Sequence, residues 1–258
     1  MGGFVLDFLG TPDVGPVLFF GLTLASFVTA FIGVFTGTAG GVILLALMAM
    51  VMPPTVLVPV HTFVQLGSSI SRTLILRQYV MRGIVLPFIA GAALGAFVGA
   101  KTFVSLPTSW LLTIIGFFIL LVTWMPSLGR IGAEKGRFAV LGFVATFMGV
   151  FVSAVGTFLS PFIASAAPDR RNHVATQGIL MIFVHLLKLL AFSFIGFTIW
   201  PYAPLIAAMI ATGVFGNWLG EVALNRTTEQ RYRMVLKIFL TLLALQLLYR
   251  AARDAGIF

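Results

Sequence analysis

Two glycine-rich turns hold the residues best suited to chemistry. The first is Thr36-Gly37-Thr38-Ala39-Gly40-Gly41, and the second is Val152-Ser153-Ala154-Val155-Gly156-Thr157. Each separates a long apolar run from a short one. A short helix that follows such a turn begins with unpaired N–H groups and a partial positive charge. Glycine lets a ligand come close to the backbone, and the hydroxyls of Thr36, Thr38, Ser153 and Thr157 can cap a helix or bind oxyanion oxygens. Two such helix ends facing each other inside a membrane form an anion site that requires no formal charge. The alternative is that the glycines serve helix packing and the threonines bond back to their own helices.

Further polar residues follow each turn. His61, Gln65, Ser68 and Arg72 recur at i, i+4, i+7 and i+11, so they share one helix face. An unpaired polar group in hydrocarbon costs several kcal/mol, so this face must meet protein or water. Gln177, His185 and Lys188 lie at comparable depths in the second half. A charge inside a span costs roughly 2.5–3.5 kcal/mol even on a lenient scale. Arg72 and Lys188 are therefore expected to attract or gate an anion from opposite ends, with snorkelling to the headgroups as the alternative. His61 and His185 have the chemistry for proton coupling, or for structural hydrogen bonds. No Asp or Glu lies deep in a run, and Glu221 stands at a run's end. Carboxylate proton relays and carboxylate sodium sites thus find little support.

Other chemistries are missing from the chain. Zero cysteines exclude thiol and Cys-metal sites. There are no paired carboxylates, no HExxH and no Ser/His/Asp arrangement, so an intramembrane lipid-modifying enzyme is the weaker expectation. His61, His173 and His185 sit at discordant depths for a histidine-only metal site, and no cofactor is expected.

The elements that must position these residues are membrane helices. The chain has 258 residues, 60% hydrophobic and 9% charged, with a mean hydropathy of +1.10. A soluble domain carries roughly 25% charged residues. There are 26 Phe against 4 Tyr and 4 Trp, a bias toward the aromatic that needs no hydrogen-bond partner. The chain reads as an all-α polytopic membrane protein. Its apolar runs are Val17–Phe35, Gly41–Met52, Val56–Leu76, Gly83–Phe103 and Thr108–Met125, then Phe138–Val152, Gly156–Ala167, Val174–Phe197, Trp200–Glu221 and Met234–Tyr249. Residues 1–125 form an N-terminal repeat, 126–137 a cytoplasmic linker and 138–258 a C-terminal repeat, integrated in one membrane domain.

The net charge of +9 would suggest nucleic acid in a soluble protein; here it reads as topology, and nucleic acid is not expected as a partner. If each short run turns back, the inward loops hold Arg77, Arg82, Arg130, Lys135, Arg137, Arg170, Arg171, Arg226, Arg231 and Arg233. The outward side keeps Lys101, Arg250 and Arg253. Both termini are then outside the cytoplasm, which is the periplasm if the membrane is a bacterial inner one. Met1 to Pro16 contain no Lys or Arg, so a cleaved signal peptide is not expected.

The two halves also match in sequence. Phe31, Gly33, Val34, Phe35 and Gly40 recur at a fixed offset as Phe147, Gly149, Val150, Phe151 and Gly156. At that offset, or within a residue of it, Pro53 meets Pro168, Arg72 meets Lys188, Pro87 meets Pro204 and Gly99 meets Gly216. Opposite starting sides make this an inverted-topology repeat, each copy a glycine-broken helical hairpin plus three transmembrane helices.

Gly33-Val-Phe-Thr-Gly-Thr-Ala-Gly-Gly41, its weaker copy at Gly149–Gly156 and the run Gly91-Ala-Ala-Leu-Gly-Ala-Phe-Val-Gly-Ala-Lys101 resemble the sulfite exporter TauE/SafE family, also called the toluene sulfonate uptake permease family. The resemblance covers about residues 17 to 250. It implies a bacterial inner-membrane, multi-pass transporter for sulfite, sulfonates or related sulfur anions. Ser153 and Thr157 depart from the first copy, which has Gly37 and Gly41 there. The expected function is a secondary carrier with a midplane anion site, and an anion channel is the alternative. Expected partners are a small anion, the lipid bilayer, a coupling H+ or Na+, and a second copy in a homodimer.

Overall fold

The computed structural model describes residues 8–36, 39–124, 135–168, 170–194, 196–223 and 229–256. These form ten α-helices: α1 (Pro16–Thr36), α2 (Ala39–Val51), α3 (Pro54–Leu76), α4 (Arg82–Ser105), α5 (Thr108–Trp124), α6 (Lys135–Val152), α7 (Gly156–Ala166), α8 (Arg170–Phe194), α9 (Ala203–Ala223) and α10 (Glu229–Asp254). The ten apolar runs of the sequence each coincide with one helix, with ends displaced by a few residues. The protein is an all-α polytopic membrane protein. Windows in α1, α4, α8 and α9 are long and apolar enough to cross a bilayer by length and composition. Helices α2 and α7 have 13 and 11 residues. At 1.5 Å per residue they reach only roughly 20 and 17 Å, short of a hydrocarbon core of about 30 Å.

Several hydroxyls in these apolar helices are satisfied locally. Thr23, Thr29, Thr73, Thr113 and Thr123 each donate to the carbonyl four residues earlier. Phe20, Leu24, Leu86, Phe97 and Phe117 are exposed, as the lipid-facing side of a membrane protein requires. Trp110, Trp124, Trp200 and Trp218 are also exposed and stand near helix ends, the usual depth of an interfacial aromatic belt.

The most extensive helix pairings are α4 with α6, α1 with α9, α5 with α10 and α3 with α8. Exchanging α1–α5 for α6–α10 in order turns α4–α6 into α9–α1 and returns the other two pairs to themselves. The α4–α6 and α1–α9 crossings are both closed by small residues. A Cβ at Gly91 would strike the Ala139 carbonyl, and one at Gly216 would strike the Phe27 carbonyl. Close backbone approach of this kind is how helices associate where lipid competes for apolar surface. The α3–α8 pair carries His61, Thr62, Ser69, Thr73, Thr176, His185 and Lys188, most of the buried polar residues among those described.

Candidate functional site

Helix α6 ends at an unusual residue. Ser153 N–H donates to the Gly149 carbonyl at 2.8 Å, closing the last turn, and Ala154 N–H donates to the Val152 carbonyl at 2.7 Å. Between them Ser153 takes φ +59°, the left-handed region that usually ends a helix on glycine. A side chain there costs roughly 1–2 kcal/mol. The chain resumes as α7 at Gly156, behind an N-cap residue, Val155, that makes no side-chain cap. The break aims the Ser153 hydroxyl into the protein, where it is fully buried.

Three side chains converge on that oxygen. His61 Nδ1 lies 3.0 Å from Ser153 Oγ, Thr62 Oγ1 lies 2.8 Å away, and Lys188 Nζ donates to it at 3.2 Å. All four residues have essentially no solvent exposure. The other ring nitrogen, His61 Nε2, donates to the Gly41 carbonyl at 2.9 Å. One imidazole therefore bridges the first turn of α2 and the break before α7. Thr62 Oγ1 donates to the Val58 carbonyl at 2.7 Å. The alkyl chain of Lys188 passes over Gly149, where a Cβ would stand 3.4 Å from Cδ.

The electrostatics follow from what surrounds the ammonium. Burying an unpaired charge is among the most costly acts in folding. Lys188 forms no ion pair with a described side chain, and Arg250 and Arg253 pair with Asp254 far along the chain from it. Lys188 meets a neutral hydroxyl, with a helix entrance beyond it, and no carboxylate. Such a cluster is rich in donors and short of negative charge. An oxyanion supplies what it lacks.

The sequence candidates distribute as follows. Ser153, His61, Lys188 and Gly41 come together at the cluster. Lys188 is in contact with the helix break itself, rather than flanking it from a distance. Gln65 lies against Gly41, whose Cβ position its amide nitrogen occupies. In the second half Gln177 Nε2 donates to the Gly156 carbonyl at 3.0 Å. Gly40 is buried against α1, where a Cβ would strike the Thr29 carbonyl and the Gly33 backbone. Ser68 accepts from Asn217 Nδ2 at 3.1 Å and so ties α3 to α9. His185 is buried on α8, three residues before Lys188, and Thr157 is half-buried in the first turn of α7. Gly37, Thr38 and the side chains of Thr36 and Arg72 lie outside the described residues. Two participants escape the periodicity argument, Thr62 and Gly149. Thr62 sits one position off the face of His61, Gln65 and Ser68, and it reaches Ser153 only because the helices cross there.

Against known proteins, a family model described as "Sulfite exporter TauE/SafE" matches residues 22–247. The chain belongs to the TauE/SafE family. The match takes in all ten helices at least in part, including both short ones and the whole Ser153 cluster. TauE/SafE proteins are membrane transporters of the sulfite and sulfonate class, and not an enzyme family. No curated protein and no solved structure matches the chain.

Proposed function

We propose that this TauE/SafE protein is a secondary carrier for a small sulfur-containing anion, a sulfonate or sulfite, bound where Lys188 meets Ser153 between the first turns of α2 and α7. The observation that carries the reading is a fully buried lysine whose Nζ has a hydroxyl at a helix break as its partner. An ammonium has three donors, and Ser153 occupies one. The anion takes the others and meets the N-terminal dipole of α7, whose N-cap residue, Val155, makes no side-chain cap. Family membership supports a sulfur compound; the donor set supports a negatively charged ligand.

The exchange symmetry of the helix pairings supports an inverted-topology repeat of residues 1–125 and 138–258. In that architecture the anion sits near the midplane, and access alternates as the halves rock about the α3–α8 contact. The basic loops support an orientation with both termini outside the cytoplasm, which in the bacterial inner membrane that the family suggests is the periplasm.

Counterflow in proteoliposomes tests the proposal. Protein loaded with unlabelled isethionate, thiosulfate or sulfite should accelerate uptake of the labelled anion from outside. Uptake without this trans-stimulation would make the protein a channel, and no flux of any of the three would remove the sulfur-anion reading.

A further inference from the structure

The buried cluster has more contacts than a neutral His61 has protons to fill. Three contacts converge on Ser153 Oγ, from His61 Nδ1, Thr62 Oγ1 and Lys188 Nζ. Each needs one proton between its two heavy atoms. Lys188 supplies one. The Thr62 proton is committed to the Val58 carbonyl, so the Ser153–Thr62 contact must use the proton of Ser153 itself. The contact between Ser153 and His61 Nδ1 is then left to His61. Its other nitrogen already carries a proton, because it donates to the Gly41 carbonyl. Filling all the contacts therefore requires a proton on both ring nitrogens, an imidazolium.

That imidazolium would stand beside the Lys188 ammonium, and like charges disfavour one another. An anion held by Lys188 reverses the balance by offsetting the second positive charge. We propose that His61 Nδ1 is a proton-binding site coupled to the anion, so that one proton is taken up as the anion binds and released as it leaves. The inference rests on the anion site proposed above. In chemical terms the Nδ1 lone pair accepts H+ from the aqueous side open at that moment. An N–H bond forms at Nδ1 as an O–H bond of hydronium on that side breaks, the Ser153 hydroxyl turns from His61 to Thr62, and no bond between heavy atoms changes.

The neighbourhood permits this assignment. Helix α3 packs on α2, α5, α6, α8, α9 and the turn Arg77–Tyr79. Among described side chains, the titratable groups on these elements are Lys188, His185 and His173 on α8, Arg137 on α6, and Arg77 and Tyr79. Lys188 alone joins the cluster. His173 bonds Ser160 on α7 at 3.1 Å, His185 lies on α8 three residues before Lys188, and Arg77 and Tyr79 stand roughly 24 Å or more along α3 from His61.

The second half of the molecule provides the control. At the position equivalent to His61 stands Gln177, which makes a similar bond to the Gly156 carbonyl, one residue before the position equivalent to Gly41. His61→Gln should therefore keep the bond to Gly41 and the fold while removing the second ring nitrogen.

The test is calorimetric titration of the purified full chain with isethionate and with thiosulfate, anions that do not titrate near neutral pH, in buffers of different ionisation enthalpy. The wild type should take up about one proton per anion, and its affinity should fall about tenfold per pH unit once His61 is neutral in the anion-free protein. His61→Gln should bind with no proton uptake and a flat pH profile. Wild-type binding without proton uptake, or undiminished uptake in His61→Gln, overturns the proton site and leaves the anion site standing. Failure of both anions to bind the wild type overturns the anion site, and the coupling with it.

Discussion

The entrances of α2 and α7 are built to one plan and used differently. In each, the same repeat position on the long helix that follows reaches the carbonyl of a first-turn glycine: His61 to Gly41, and Gln177 to Gly156, carbonyls one residue apart in the repeat. At α2 the turn is pressed against its predecessor, with Gly40 against Thr29 and Gly33 of α1. At α7 there is slack, since a Cβ on Gly156 would meet only Gln177 and Met181, at 3.5 and 3.8 Å. The α2 turn serves as a fixed wall and the α7 turn as the polar face. The difference between His61 and Gln177 is a single titratable nitrogen, and it is the one aimed at Ser153.

Lys188→Met should produce the largest split between function and stability. It removes a charge that is costly to bury and keeps the volume, so the fold should be as stable or more stable. Anion affinity should fall by about 100-fold, the loss expected when a buried charge partner is deleted. Isethionate binding and thermal unfolding, measured on the same preparation, check both halves. Unchanged binding would leave Lys188 a structural partner of Ser153 and remove it from the anion site.

The glycine pair tests the contrast of wall and polar face directly. Gly40→Ala must displace the backbone of α1, a strain of about 1–3 kcal/mol. Gly156→Ala meets ordinary van der Waals distances and should change stability by less than about 0.5 kcal/mol. Thermal or denaturant unfolding in detergent distinguishes the two, and equal losses would remove the asymmetry.

A smaller effect is expected at the helix break. Ser153→Ala and Ser153→Gly both lose the hydroxyl, and both should lose anion binding. They differ in backbone strain, because only alanine keeps a Cβ at φ +59°. Ser153→Gly should therefore be the more stable of the two by about 1 kcal/mol. Equal unfolding midpoints would mean that the left-handed turn relaxes when the hydroxyl is gone.

Much of this fold is legible in the sequence, since runs broken by Gly, Pro and charge have few interpretations once hydrocarbon is the solvent. The offset that relates Arg72 to Lys188 also relates Gly37 to Ser153. A glycine in one copy marks the position where the other copy bears a strained serine. The cluster itself is much less legible. His61 and Ser153 are 92 residues apart and Ser153 and Lys188 are 35 apart, and no helical period connects them. Gly40 shows the remaining ambiguity. Small residues admit either a ligand or a neighbouring helix, and at Gly40 the structure has α1 in that space.

The central claim is that an anion sits against Lys188 and Ser153, and its most direct test is the structure of crystals soaked in thiosulfate, whose sulfur atoms scatter anomalously. The account predicts an anomalous peak beside Lys188 Nζ, at the first turn of α7 and within hydrogen-bonding reach of its oxygens. A peak confined to the basic loops, or none in protein that binds thiosulfate in solution, would contradict it.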